Sequence, residues 1–247
     1  MLTVAHASKW FGGLHAVENV SFTIEEGALA ALIGPNGAGK TTLFNLIAGA
    51  LPLTSGCVYL AGRPIRNVQS ACALGIGRTF QNVRLFREMS VVDNVLVGLD
   101  HPNFWTASLH LPGLLRAERA NLKRAYFLLE EIGLEALATA RAGDIPFGQQ
   151  RLLEIARALA LSPRLILLDE PAAGLNRTET TGLEALIRRI RNRGITILLV
   201  EHDMQLVMNL AERVIVLDNG EILADGPPAV IRADPRVCAA YLGAGVC

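Results

Sequence analysis

Residues 28–49 read ALAALIGPNGAGKTTLFNLIAG, and this stretch decides the fold. An apolar run of strand length, 28–33, leads directly into a glycine-rich loop, and the loop into a segment with helical patterning. Strand, glycine-rich loop and helix is the order that a phosphate-binding site requires. Gly34 to Thr41 fills every position of the pattern G-x-x-x-x-G-K-[ST]. Gly34, Gly37 and Gly39, with Pro35, Asn36 and Ala38 between them, let the backbone wrap closely enough for its NH groups and the following helix dipole to meet negative charge. Lys40 is placed to reach the β and γ phosphates of a nucleotide, and the Thr41 hydroxyl to hold Mg²⁺; Thr42 completes the segment. The flanking strand and helix argue against a chance loop of this composition.

Working outward, the composition bounds what such a site can belong to. The chain has 247 residues, enough for one large domain or a domain with a smaller lobe. Lys plus Arg and Asp plus Glu number 23 each, so no net field recruits nucleic acid, and a DNA or RNA partner is disfavoured. Hydrophobic residues make up 51% and charged residues 19%, which points either to heavily buried parallel strands or to an apolar surface that meets a partner. No apolar run approaches the roughly 18 residues of a membrane span, and the N-terminus MLTVAHASKW lacks the pattern of a secretory signal. Cys57, Cys72, Cys238 and Cys247 form no paired metal spacing and suit a reducing compartment, so a cytoplasmic location is expected.

The rest of the chain follows an α/β pattern. Residues 1–26 read as short strands with a turn at Gly12-Gly13, and GCVYLAGRPI as a strand and turn. Residues 70–140 are mostly helical in pattern, with LKRAYFLLEEIGL the clearest amphipathic piece, and suggest a separate lobe. RLILLDE and ITILLVEH are buried-strand runs flanking a helix near 178–193 that ends at Gly194. RVIVLDNGEILADGPP reads as a hairpin before a short C-terminal helix.

Three further positions carry possible chemistry. Asp169, ending the apolar run of LILLDE, is placed to support Mg²⁺, and Glu170 beside it could polarise an attacking water. An acidic pair after a strand is ordinarily a solvated strand end, but a complete phosphate loop upstream reverses that reading. His202 follows another buried-strand run; a lone histidine is more often structural, yet at the carboxyl end of a strand it can hydrogen-bond a γ-phosphate. Gln81, in RTFQNVRLF, needs no explanation by itself.

Together these pieces resemble the ATP-binding cassette (ABC) ATPase family along essentially the whole chain. The resemblance rests on the P-loop at 34–42, a Q-loop Gln81, a signature-like IPFGQQR at 145–151, LILLDEP, AAGLN as D-loop and a switch His202, in order and at the family's spacing. It implies a P-loop NTPase fold with a RecA-like parallel-sheet core, an N-terminal antiparallel β subdomain and a helical subdomain. The implied layout is one ABC ATPase domain over 1–247. About 1–80 and 160–225 form the nucleotide-binding core, about 82–158 the signature-bearing lobe, and about 226–247 the C-terminal helix. It also implies ATP and Mg²⁺, with Glu170 as general base, Thr41, Gln81 and Asp169 toward Mg²⁺, and Gln81 coupling the metal to a transmembrane partner. Phe11 would stack on adenine, although the residues alone equally allow an ordinary core position. Such cassettes work as head-to-tail dimers, each ATP held between one P-loop and the other subunit's signature, here Phe147, Gly148 and Gln149.

A narrower resemblance, in FGGLHAVENVSF, GRTFQNVRLFREMSVVDNVLVG, VEHDMQLVM and PRVCAAYLGAG, is to the Liv-type ATP-binding subunits of branched-chain or hydrophobic amino-acid importers. It implies transmembrane permease subunits, a second and non-identical cassette, a solute-binding protein acting indirectly, and a peripheral place on the cytoplasmic face of the inner membrane. Importers of urea or amides, a soluble ABC ATPase of repair or translation, and a non-hydrolysing structural subunit are the alternatives. The soluble enzymes would bring a coiled-coil insertion or tandem cassettes, for which 247 residues leave no room, and Lys40, Asp169, Glu170 and His202 are all present against the last.

Three stretches remain. In DHPNFWTASLHLPGLLRAER, longer than a minimal cassette carries, Phe104 and Trp105 either pack on the lobe or touch a partner. RRIRNR, 188–193, closes a helix where cations suit the C-terminal dipole; a lipid-facing role is the alternative. In DIPFGQQR, 144–151, Pro146 stands where the family has Ser and Phe147 where it has Gly. The Ser hydroxyl and the residue-146 NH are therefore lost to the partner's phosphate. Proline suits a first helical turn, and Gly148, Gln149 and the helix-start NH groups can still face an anion.

Overall fold

The computed structural model describes residues 1–81, 83–99 and 112–242. Phe104 and Trp105, most of the insert around them, and Cys247 lie outside the described residues.

The N-terminal segment makes one long antiparallel hairpin, β1 (Leu2–Phe11) and β2 (Leu14–Ile24), whose last pair, Phe11 with Leu14, closes over the Gly12-Gly13 turn. β4 (Ser55–Leu60) pairs with β1, and β5 (Arg63–Pro64) with β4, giving the order β2-β1-β4-β5. The second sheet has six strands in the order β10-β9-β3-β8-β7-β6. Its parallel members are β3 (Leu29–Ile33), β6 (Ile76–Arg78), β7 (Leu165–Asp169), β8 (Thr196–Val200) and β9 (Arg213–Asp218); β10 (Glu221–Gly226) is an antiparallel edge.

All five residues of β3, β7 and β8 are buried, the continuous apolar reading expected of parallel strands covered on both faces. The alternation of a strand sorts them between two cores. Ala30 and Leu32 join Leu43, Phe44 and Ile47 of α1 (Lys40–Ile47) and the inner face of the antiparallel sheet. Leu29, Ala31 and Ile33 face Leu183, Leu186 and Ile190 of α6 (Arg177–Asn192), in a cluster that extends into the helical lobe. That lobe packs α3 (Val91–Leu96), α4 (Pro112–Glu131) and α5 (Phe147–Ala160) against one another. α6 starts at a capping box in which the Asn176 and Glu179 side chains each accept the other's backbone NH.

The structure corrects the helical reading of residues 70–140 at one point. After α2 (Val68–Ala73), Ile76–Arg78 forms β6, parallel to β7. Three residues are too few to show a period of two, and β6 is held by its neighbour. The sequence reading also passed over α7 (Met204–Leu210), started by the Asp203 side chain, and took as one C-terminal helix what is a pair, α8 (Pro228–Arg232) and α9 (Pro235–Leu242).

β3, β8 and β7 lie side by side, so the loops leaving their carboxyl ends, at Gly34, Glu201 and Glu170, open on the same edge of the sheet. Ligands bind at this edge in open α/β sheets.

Candidate functional site

A cavity of about 830 Å³ opens at that edge. Its walls are Asn36 to Thr42 of the glycine-rich loop, Phe11, Leu14, His15 and Ala16 of the hairpin end, and Gln81, Glu170, His202 and Asn219. The loop keeps its shape because two glycines cannot be replaced. A Cβ on Gly34 (φ 153°) would sit 2.1 Å from the Leu217 carbonyl oxygen, and one on Gly39 (φ 97°) 2.3 Å from that of Ala16. Lys40 is 6% exposed, and its ammonium donates to the Gly34 and Pro35 carbonyls at 2.7 and 2.8 Å. Burial lowers its pKa below the ordinary lysine value, and the Glu170 carboxylate opposes that shift.

Glu170 is the meeting point. Its Oε1 lies 2.7 Å from His202 Nε2, and its Oε2 accepts a hydrogen bond from the Gln81 amide at 3.2 Å. Its NH donates to the Val200 carbonyl, and its backbone is left-handed, φ 46°. Three loops thus bring together residues that lie far apart in the sequence.

Asp169 stands behind the cavity rather than in its wall. It is 4% exposed, and its Oδ2 lies 3.6 Å from an Arg78 guanidinium nitrogen. Burial raises its carboxyl pKa, and Arg78 draws it back. Arg78 also donates to Asn45 Oδ1 at 2.7 Å and sits between the Phe44 and Phe80 rings. The Thr41 hydroxyl, the Gln81 amide oxygen and the Asp169 carboxylate are hard oxygen donors, the type that suits Mg²⁺, which usually keeps several of its waters.

Phe147, Gly148 and Gln149 begin α5 and line no part of this cavity. The reading of Pro146 as first-turn proline shifts by one residue. With φ −53° and ψ 150° it is the residue before the helix, and its carbonyl accepts the Gln150 NH at 3.0 Å. The Phe147 ring lies against Gly174, where an added Cβ would come within 2.9 Å of it, and the Arg151 guanidinium sits 5.6 Å from the ring centre.

Sequence reasoning missed the groups that hold Gln81 in place. Arg151 donates to the carbonyls of Phe80 and Gln81 at 2.9 and 2.6 Å, and Glu154 accepts from the NH groups of Phe80 and Arg84 at 3.3 Å each. Both side chains are buried, at 3% and 1% exposure. Arg151 and Glu154, opposite charges one helical turn apart in a largely apolar helix, were the available signal. The plain reading of RRIRNR holds: Arg188 and Arg189 donate to the Asn209 and Glu131 carbonyls, and Arg191 and Arg193 pair with Glu212 and Glu131.

A second cavity, about 730 Å³, lies between α2 and the helical lobe. Val68, Phe86, Val97 and Leu161 are exposed along it, with Arg78, Arg84 and Arg157 among its walls. Among the described residues, no helix is long and apolar enough to cross a membrane.

Known proteins resemble this chain in sequence and in fold. The family profile described as "ABC transporter" matches residues 17–173, and that of "Branched-chain amino acid ATP-binding cassette transporter" matches 221–246. The chain is 45% identical over 249 residues to the high-affinity branched-chain amino acid transport ATP-binding protein BraF of Pseudomonas aeruginosa, covering 98% of each. A crystal structure of a nucleotide-free ATP-binding cassette from an ABC transporter superposes with a TM-score of 0.86 at 31% identity, over 98% of this chain and 99% of that one. A dimeric structure of a bacterial ABC transporter cassette gives 0.78 at 26% identity, over 92% and 99%. The chain belongs to the ABC transporter family, as one of its ATP-binding and ATP-hydrolysing subunits.

Proposed function

We propose that this chain energises an importer of branched-chain or other hydrophobic amino acids, working as a peripheral subunit on the cytoplasmic face of the membrane. The observation that carries the chemistry is the position of Glu170, held between His202 and Gln81 at the open end of a phosphate-binding loop. The solute follows from the likeness to BraF and from the C-terminal match at 221–246.

ATP enters with its phosphates against the NH groups of Asn36 to Thr42 and the start of α1. Lys40 exchanges its two loop carbonyls for phosphate oxygens, and Phe11 lies beneath the base. Glu170 accepts the proton of the attacking water while His202 and Gln81 hold its two oxygens in place. Thr41, Gln81 and Asp169 would hold Mg²⁺, which when bound would supply neutralisation of the phosphate charge. The start of α5, with Phe147, Gly148 and Gln149, serves the nucleotide of a second cassette, so ATP binds the closed pair better than the open one. On this reading residues 82–158 form the lobe that meets a transmembrane subunit, and the apolar groove beside it, rimmed with arginine, is a surface suited to that contact.

The test is to purify the chain with the membrane subunits and binding protein it assembles with, and to screen solutes for stimulation of ATP hydrolysis in vesicles. Leucine, isoleucine or valine should stimulate, and a non-identical second cassette should co-purify. Stimulation by urea or amides alone would move the chain to another solute class. An active complex containing this cassette alone would remove the heterodimer.

A further inference from the structure

Glu201 is a buried carboxylate to which the chemistry above gives no role. It lies one residue past β8 and is 4% exposed. Its Oε1 accepts the Ala172 NH at 2.8 Å, and its Oε2 the His202 NH at 3.0 Å. Ala172 belongs to the turn that follows Glu170, closed by the Ala173 NH on the Glu170 carbonyl at 3.1 Å. One carboxylate therefore ties together the two loops that carry Glu170 and His202. β7 and β8 are direct neighbours, with Asp169 paired to Val200, so those loops start side by side but have no backbone ladder beyond Glu170.

Chemistry explains why the linker is an acid. Two NH groups, one from the Glu170 loop and one from the next residue of its own loop, need two acceptors on a rigid fork, which an ionised carboxylate supplies and an amide, with one donor end, does not. Burial raises the pKa of this carboxyl, and backbone NH groups of Ala172, His202 and Asp203 offset that shift. An unpaired buried acid would be costly, so the two loops are held to it as firmly as it is held to them.

We propose that Glu201 is a positioning residue for ATP hydrolysis, fixing the distance between Glu170 and His202 by binding both of their loops. The proposal rests on Glu170 being the proton acceptor, and the experiment separates the two claims.

In the full chain, Glu201→Gln keeps the size of the side chain and loses one of the two acceptors. Its kcat should fall at least about tenfold, while KM for ATP and the equilibrium affinity for a fluorescent ATP analogue stay within about twofold. In the His202→Ala background the same exchange should lower kcat by less than about twofold, because the two residues act on one geometry. In the nucleotide-free protein, amide hydrogen exchange over 170–173 and 201–203 should quicken about tenfold, with 34–42 unchanged. A wild-type kcat, equal losses in kcat and ATP affinity, additive losses with His202→Ala, or unchanged exchange would each overturn the proposal. Should Glu201→Gln not fold, Glu201→Asp, which keeps the charge on a shorter arm, is read by the same criteria. Wild-type turnover in Glu170→Gln would overturn the assignment of the base. An inactive Glu170→Gln beside a fully active Glu201→Gln would overturn the role of Glu201 alone.

Discussion

His202 Nε2 lies 2.7 Å from Glu170 Oε1, a hydrogen-bonded pair made within one chain by the loops that follow β8 and β7. The contact places this pair in the cavity wall, with the Gln81 amide on the other carboxylate oxygen.

Replacing that carboxylate by an amide tests the base directly. Glu170→Gln should bind MgATP as the wild type does and lose about 10²–10⁴-fold in turnover, the usual contribution of a positioned general base. Phosphate release beside equilibrium nucleotide binding checks both halves; equal hydrolysis by the two proteins would remove Glu170 from the role.

Phe11 is 47% exposed at the hairpin end of the cavity, which favours the base-stacking reading over a core position. Loss of a stacked ring costs about 0.5–1.5 kcal/mol beyond area burial. Phe11→Ala should weaken ATP binding by roughly 2- to 13-fold and leave the thermal midpoint of the nucleotide-free protein within a few degrees of wild type. Titration with a fluorescent nucleotide, together with a melting curve, measures both; unchanged affinity would show that the base lies elsewhere.

Pro146 precedes α5 and gives up no hydrogen bond of that helix. Its replacement by serine restores the family's hydroxyl and NH, so Pro146→Ser should strengthen ATP-driven pairing with the second cassette and change turnover at the partner's nucleotide. The chain's own nucleotide affinity should not move. Pairing measured by gel filtration or light scattering with the complex provides the check, and an unchanged complex would mean that the ring is merely tolerated.

The raised pKa of Glu201 makes a statement about pH. A carboxyl that binds its proton more tightly in the folded chain than in the unfolded one supplies stability that is complete below the unfolded value, 4.5. That stability is lost as the pH rises through the folded value. Glu201→Gln removes this titration, so its melting temperature should fall less than that of the wild type between about pH 4.5 and neutrality. Calorimetry across that range decides it, and parallel curves would show that Glu201 contributes nothing to the slope.

Much of this was legible in the sequence, for identifiable reasons. The P-loop reads from its own residues because Gly34 and Gly39 are required by local geometry and Lys40 and Thr41 complete the phosphate-binding pattern. β3, β7 and β8 read as strands because their apolar runs are unbroken. What escaped notice depends on distant partners. β6 is a strand only because β7 lies beside it. Arg78, Arg151, Glu154 and Glu201 gain their roles from backbone groups and charges far off in the chain, and no spacing announces which loop a buried charge will hold.

The left-handed backbone at Glu170 bears on how this protein would respond to selection. For a residue with a Cβ that conformation costs about 1 kcal/mol, and glycine or asparagine relieves it. A screen that rewards heat resistance alone would therefore drift toward those residues at position 170, enriching well-folded cassettes that hold ATP and do not turn it over. With Glu170 as the proposed base, durability and activity are opposed at this one peptide unit, and stabilising changes are to be sought at other positions.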